Sequence, residues 1–90
     1  MKAKAFQSLL KKIGEGLTIL RKKKGYDSIS EFASDHSLPM IQYWRIEKGK
    51  ANITLKSLAR LLSIHELAPD EFFCSLKNSY DHKGSAASIR

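Results

Sequence analysis

The sequence is poor in residues that crosslink chains or bind metals. It has 90 residues and a single cysteine, Cys74, which excludes an intrachain disulfide and a zinc site built from several cysteines. A reducing, cytoplasmic compartment is therefore expected. The histidines His36, His65 and His82 show no metal-ligand spacing with one another or with Cys74. We interpret each histidine as a surface residue, and we expect no metal and no cofactor.

Long apolar runs are also absent. Lysines and glycines interrupt residues 1–16 before the core of a signal peptide can form, and no segment reaches the roughly 20 apolar residues of a membrane span. The chain has neither a glycine-rich phosphate loop nor a nucleophile elbow. We therefore expect a soluble protein that is not an enzyme and does not associate with a membrane.

Acidic residues are few: 9 against 16 lysines and arginines, which gives a net charge of +7. A polyanion is the leading partner for such a chain. The positive charge is concentrated near the start, where Glu15 is the single acid within the first two dozen residues. The basic residues there are Lys2, Lys4, Lys11, Lys12, Arg21, Lys22, Lys23 and Lys24. For the run at 21–24, a solvated helix end that suits the helix dipole is as good an interpretation as phosphate contact.

Apolar residues recur at alternating steps of four and three along residues 4–24, which predicts a first helix. The stripe consists of Phe6, Leu10, Ile13, Leu17 and Leu20. Gly14 and Gly16 lie inside this helix, where they indicate either close packing against a neighbour or a regular helix that begins after a looser arm. Gly25 then supplies a stop.

The stretch 28–50 predicts two short helices separated by a tight turn. Ser28 and Glu31 fit a capping box at the start of helix two. Pro39 suits the first turn of helix three, because a first-turn residue needs no backbone donor, and Gly49 ends that helix. Two short helices joined in this way form a helix-turn-helix pattern.

Two more helices and a tail complete the prediction. Thr54 caps a fourth helix over about 55–63, and Pro69 lies in the first turn of a fifth over 67–73. Residues after 76 are mostly small and polar without a period, so a flexible tail is expected. The predicted core side chains are Leu17, Leu20, Phe32, Ala33, Tyr43, Ile46, Leu58, Leu61 and Phe72.

Four segments together resemble the lambda-repressor-like, Cro-repressor type helix-turn-helix proteins of the xenobiotic-response-element family. They are IGEGLTILRKKKG, SEFA, WRIEKGKANITLKSLARLL and PDEFF, within roughly residues 13–73. The run from Arg45 to Gly49 is the most recognisable. The resemblance implies an all-α, compact five-helix bundle that is often dimeric and whose third helix enters the major groove of DNA.

The expected organisation follows from this resemblance. Residues 1–12 form a basic N-terminal extension of helix one, 13–76 a helix-turn-helix DNA-binding domain, and 77–90 a flexible tail. The expected function is sequence-specific binding of double-stranded DNA by a transcriptional regulator, either a repressor or an antitoxin-type autoregulator. We expect it to act as a homodimer.

The resemblance also implies which residues meet DNA. The base-contact positions are Pro39, Met40, Ile41, Gln42 and Arg45, and the backbone-contact positions are Ser28, Lys48, Lys50 and Asn52. Two departures from the family's pattern stand out. Ile29 occupies a position where the family commonly has a glutamine that touches phosphate, and apolar residues begin helix three where polar ones are usual. Both remove hydrogen-bond donors from a surface that should read bases.

Two of these side chains have competing interpretations. Arg45 fits bidentate contact with guanine, and its alternative is a salt bridge with Glu31 or Asp35. Gln42 suits contact with adenine and a solvated position on the helix surface equally well.

Glu47 is acidic and cannot favour phosphate, so we expect it to bond loop amides or to pair with a neighbouring cation.

The apolar residues of helix three also support two functions. Met40 and Ile41 fit contact with thymine methyl groups. In the alternative function, a protein-interaction module retains the fold, and these two residues dock a partner together with Trp44. That partner would be a toxin or a polymerase subunit. As a single side chain, Trp44 is interpreted as a half-buried brace.

Overall fold

The computed structural model describes residues 3–80, with side chains described for residues 4–76. This part of the chain contains five α-helices and no strand, which confirms the all-α prediction. The helices are α1 (Ala3–Lys23), α2 (Ile29–Asp35), α3 (Met40–Glu47), α4 (Leu55–Ile64) and α5 (Pro69–Tyr80). Met1, Lys2, His82 and the rest of the predicted tail from 81 onward lie outside the described residues.

Side-chain caps fix two of the helix starts where the sequence predicts them. The Ser28 hydroxyl accepts a hydrogen bond from the Glu31 amide at 3.2 Å, and the Thr54 hydroxyl accepts one from the Ser57 amide at 3.0 Å. Each bond satisfies an amide that would otherwise have no partner in the first turn. Pro39 lies one position earlier than predicted, at the cap of α3 rather than in its first turn.

Helix α5 is longer than the sequence analysis predicts. It continues from Pro69 to Tyr80, past the expected end at 73 and into the first four residues of the expected tail. Leu76 explains the extension, because it lies about one helical turn after Phe72 and packs against the same core. The helix therefore gains buried apolar surface for one more turn than the phenylalanines alone indicate.

One apolar core joins all five helices. Leu17, Phe32, Leu58, Leu62 and Phe72 are its largest fully buried side chains. Burial of each contributes roughly 1.5–3 kcal/mol relative to exposure. Of the predicted core, Ala33, Tyr43 and Leu61 are also buried, whereas Leu20 and Ile46 are half-buried and pack on the edge.

The two glycines inside α1 mark close helix contacts. The helix runs through both without a break, so the interpretation as a looser arm is wrong. A Cβ added at Gly14 would overlap the carbonyl group of Glu47 and lie 2.8 Å from the carbonyl oxygen of Ile46, so α1 and the end of α3 touch backbone to backbone. A Cβ at Gly16 would lie 2.7 Å from Leu76 Cδ2. The glycines therefore let α3 and α5 approach α1.

Within residues 3–80, no helix has both the length and the apolar character that a bilayer crossing requires.

Candidate functional site

The outer face of α3 exposes apolar, polar and basic side chains together. At about 100° per residue, Tyr43 and Glu47 point inward and are buried, and Ile46 lies at the edge of the core. The remaining side chains of the helix face outward. They are Met40, Ile41, Gln42, Trp44 and Arg45, followed by Lys48 just after the last turn.

A buried ion pair lies beneath this face. Arg21 on α1 donates from Nε to Glu47 Oε2 at 2.8 Å and from Nη2 to Glu47 Oε1 at 3.1 Å. The Thr18 hydroxyl donates to Glu47 Oε1 at 2.7 Å, and the Tyr43 hydroxyl donates to Oε2. The Arg21 Nη1 donates to the carbonyls of Tyr26 and Asp27. The network thus connects α1, α3 and the loop that leads to α2.

This network rules out phosphate contact for Arg21 and provides the cation expected beside Glu47. Arg21 belongs to the basic run for which phosphate contact is one interpretation, but it is 4% exposed and bound to Glu47. The expected pairing of Glu47 with a cation is confirmed. Sequence alone could not identify this partner, because 26 positions separate the two residues and Arg21 stands beside three exposed lysines.

The network keeps Glu47 ionised. Burial opposes its charge, but hydrogen bonds from Arg21, Tyr43 and Thr18 outweigh that cost and hold its pKa below the usual 4.5. The hydrogen bond to Glu47 raises the pKa of Arg21. Burial, with the hydrogen bond to Glu47, raises the pKa of Tyr43 far above its usual 10. The Tyr43 hydroxyl therefore stays a neutral donor to a charged acceptor.

Within residues 36–65, which include α3 and α4, the charge that remains on the surface has one sign. Between residues 36 and 65 the sequence contains a single acid, Glu47, and its charge is buried against Arg21. The five lysines and arginines of that stretch are all exposed: Arg45, Lys48, Lys50, Lys56 and Arg60. Lys56 and Arg60 lie on α4, opposite its buried leucine stripe, and Arg60 lines a groove that α4 shares with α3. Their i, i+4 spacing is the signal that could have placed them there.

The basic start of the chain lies next to the end of α3. Gly49 has a φ of +71°, and a Cβ placed there would lie 3.0 Å from the Cα of Lys11. The loop after α3 therefore crosses the backbone of α1 at Lys11, which is exposed. Lys11 therefore lies in one neighbourhood with Lys48 and Lys50, which flank Gly49, although they are far apart in the sequence.

Arg45 is exposed and forms a hydrogen bond with the loop that follows α3. Its Nη2 donates to the carbonyl of Lys50 at 3.2 Å, which ties the helix to the loop that follows. Within the described residues no ion pair joins Arg45 to Glu31 or Asp35, and the Asp35 carboxylate instead accepts from the Tyr26 hydroxyl at 2.8 Å. The predicted alternative for Arg45 is therefore wrong. Its remaining N–H donors face solvent.

The other predicted base-contact residues surround Arg45. Pro39 and Gln42 are exposed beside a groove of about 300 Å³ between α3 and α4, which Ser57 and Arg60 also line. Met40 is 45% exposed and Ile41 71% exposed.

The predicted backbone-contact residues are all exposed. The Ser28 hydroxyl caps α2, and the Lys50 carbonyl accepts from Arg45. The Lys48 ammonium lies 5.9 Å from the centroid of the Trp44 ring, within reach of a cation–π interaction. Trp44 is 40% exposed, close to the half-buried position expected from sequence, and its exposed part belongs to this surface.

Two histidines belong to an aromatic cluster rather than to the open surface. The ring of Phe32 packs against His36 at 4.7 Å and stacks on His65 at 5.6 Å. The surface interpretation is therefore wrong for both histidines. Burial, together with the nearby charges of Lys24 and His36, lowers the pKa of His65 below 6.5. No group of three or more potential metal ligands occurs within the described chain.

Searches with family models, among curated proteins and among solved structures found no match to this chain. Its function is therefore inferred from its own surface.

Proposed function

We propose that this protein binds double-stranded DNA at specific sequences and regulates transcription, with α2 and α3 as a helix-turn-helix and α3 in the major groove. One observation carries the proposal: of the lysines, arginines and acids between residues 36 and 65, every exposed one is basic, and these cations lie on α3, on the loop after it and on α4. A duplex presents a regular array of phosphates to such a surface. The resemblance to lambda-repressor-like proteins points to the same partner.

The cations divide into two roles. Lys48, Lys50 and Lys56 are flexible point charges that suit phosphates, whose contacts fix register without reading sequence. Arg45 presents a planar fork, and a bidentate pair with guanine O6 and N7 discriminates by about 1–3 kcal/mol. Because only Nη2 is engaged with the Lys50 carbonyl, the guanidinium keeps donors for a base.

Regulation by occupancy is the mechanism that fits this surface. As a homodimer, the protein reads two half-sites about 34 Å apart, one helical turn of the duplex. Repression, including autoregulation of the antitoxin type, follows when the bound dimer covers a promoter. This mode of action requires no catalytic group, and it places the protein in the cytoplasm with its DNA.

Selection from a random duplex library at fixed salt tests the proposal. We expect enrichment of a short motif with a guanine at the position facing Arg45. Binding to that motif should persist at 150 mM salt, whereas binding to random duplex falls steeply. Equal recovery of all sequences at every salt concentration, or no retained duplex, would overturn the proposal.

A second candidate function rests on a different observation. Met40, Ile41 and Trp44 are large apolar side chains exposed on consecutive turns, as in helices that dock a protein. In this alternative the chain is a protein-interaction module, and a toxin or polymerase subunit covers α3. DNA binding that is weak, blind to sequence and lost at physiological salt favours it over the first candidate.

A further inference from the structure

The first two turns of α3 expose apolar surface where a base-reading helix would need polar groups. Ile41 is 71% exposed and Met40 is 45% exposed, and neither side chain carries a hydrogen-bond donor. Exposure of such side chains has no stabilising effect on the bundle. Their placement is therefore informative about what covers them.

Cations adjoin this patch on α3 and at its C-terminal end. Arg45 lies one helical turn beyond Ile41 on the same side of α3, and the Lys48 ammonium lies over the neighbouring Trp44 ring. Glu47, the one acid of residues 36–65, is buried against Arg21. The complementary ligand must present negative charge and small apolar groups within a few ångströms of each other.

The major groove of DNA has both properties. Phosphates line its edges, and the 5-methyl group of thymine projects into it as its characteristic apolar feature. A protein partner could match the apolar side chains, but it would also need acidic residues facing Arg45 and Lys48. The charge pattern therefore favours DNA as the occupant.

We infer that Ile41, supported by Met40, reads the 5-methyl group of thymine, so that α3 selects A·T pairs by apolar contact. This inference rests on the proposed DNA binding and names the bases that the site selects. Gln42 adjoins Ile41 in the chain and is exposed, and its amide matches adenine N6 and N7, the partner base of thymine.

The position of Arg45 adds a constraint on spacing. One turn of α-helix advances about 5.4 Å, and neighbouring base pairs are about 3.4 Å apart. A guanine read by Arg45 should therefore lie within about two base pairs of the thymine read by Ile41. The selected motif should combine the two.

The test compares thymine with deoxyuridine, which lacks only the methyl group. The motif enriched by the full-length protein from a random thymine-containing library is resynthesised with deoxyuridine at each thymine in turn, and dissociation constants are measured at fixed salt. We expect one or more positions at which loss of the methyl weakens binding about fourfold, the ratio that corresponds to burial of one methyl-sized group.

Ile41→Ala assigns the effect to a side chain. At the sensitive position this variant should bind the thymine and deoxyuridine duplexes equally, whereas wild type distinguishes them. Ile19→Ala is the matched control, since Ile19 is an isoleucine 55% exposed on α1, and it should keep the wild-type discrimination. The non-additivity of Ile41→Ala and of the loss of the thymine methyl group measures the contact between the two.

Three outcomes would overturn the inference. Wild-type protein that prefers a motif but is indifferent to every thymine methyl refutes methyl reading and leaves the proposed DNA binding intact. An Ile41→Ala variant that still distinguishes thymine from deoxyuridine refutes the residue assignment. Failure to enrich any motif refutes both proposals, and it leaves the apolar patch as a protein-docking surface.

Discussion

Arg21 and Glu47 join α1 to α3 through a hydrogen-bonded ion pair in which Arg21 Nε lies 2.8 Å from Glu47 Oε2. The two side chains are 5% and 1% exposed. Glu47 is the last residue of α3, so the pair fixes the end of this helix and the start of the basic loop that follows. It also buries the one negative charge that α3 itself carries, which would otherwise oppose an anionic ligand there.

Breaking this pair on one side should be costly. Arg21→Met leaves the Glu47 carboxylate buried without its cation, and we expect a loss of about 3–5 kcal/mol in the free energy of unfolding. Urea denaturation measures it. The double variant Arg21→Met/Glu47→Leu should be more stable than Arg21→Met, because it leaves no buried charge. Lys22→Met, an exposed neighbour, should stay within about 0.5 kcal/mol of wild type, and a similar value for Arg21→Met would contradict the structure.

Gly14→Ala should reverse the usual effect of alanine in a helix. In an exposed helix interior, alanine is better than glycine by about 1 kcal/mol. At Gly14 the new methyl would overlap the carbonyl of Glu47, and backbone atoms cannot move aside without separating α1 from α3. We expect a loss of more than about 3 kcal/mol, beyond the usual range for overpacking.

Gly16→Ala provides the matched comparison. Its methyl would meet the side chains of Leu76 and Phe72, which can shift by changing rotamer, so the cost should be smaller than at Gly14. Thermal unfolding of both variants gives the order. A Gly14→Ala protein as stable as wild type would show that the two helices do not touch at this residue.

The stability of the bundle should fall as the pH drops below about 6.5. Burial, with the charges of Lys24 and His36, lowers the pKa of His65 in the folded state. The unfolded chain therefore binds a proton at His65 more readily than the folded protein does. The resulting destabilisation is absent above pH 6.5 and grows as the pH falls toward the pKa of the folded state. Urea midpoints between pH 7.5 and 5 measure it.

His65→Phe should remove this part of the pH dependence. A phenyl ring can keep the stacking on Phe32 but cannot bind a proton. A variant whose midpoint follows the same pH curve as wild type would assign the dependence to other groups. Loss of stability at pH 7.5 with an unchanged slope would mean that only packing was altered.

Local signals in the sequence were sufficient for most of the fold. At Ser28 and Thr54, each helix starts with a hydroxyl that accepts a hydrogen bond from the amide three residues later. Both partners of such a bond lie within a short stretch of sequence. The stripes through Leu17 and Leu58 likewise depend on spacing within one helix. These features are set by interactions along a single segment, so pattern reading recovers them.

Contacts between residues that are far apart in the sequence could not be predicted from it. Arg21 looks like its lysine neighbours until α3 brings Glu47 to it from 26 residues away. His65 looks like a surface residue until α4 brings it to the Phe32 ring. At the candidate site, sequence identified Arg45 and the lysines near it. It could not show that the only acid among them is neutralised, because that depends on tertiary contact.

The proposed interface makes a graded prediction for salt dependence. Lys50→Gln removes one phosphate contact, so the slope of log affinity against log salt should become shallower by about 0.9, on selected and random duplexes alike. Arg45→Ala should instead cost about 1–3 kcal/mol on the selected duplex and reduce the preference over random DNA. Fluorescence anisotropy between 50 and 300 mM salt, on both duplexes, separates the two effects.

Lys22→Gln serves as the control for position. Lys22 lies eleven residues beyond Lys11 on α1, about 16 Å farther along the helix from the point where the loop after α3 crosses it. Its charge suits the C-terminal end of the helix dipole, so we expect the salt slope to stay at the wild-type value. If Lys22→Gln lowers the slope as much as Lys50→Gln, binding is spread over the whole basic surface, and the assignment of the interface to α3 and its loop is wrong.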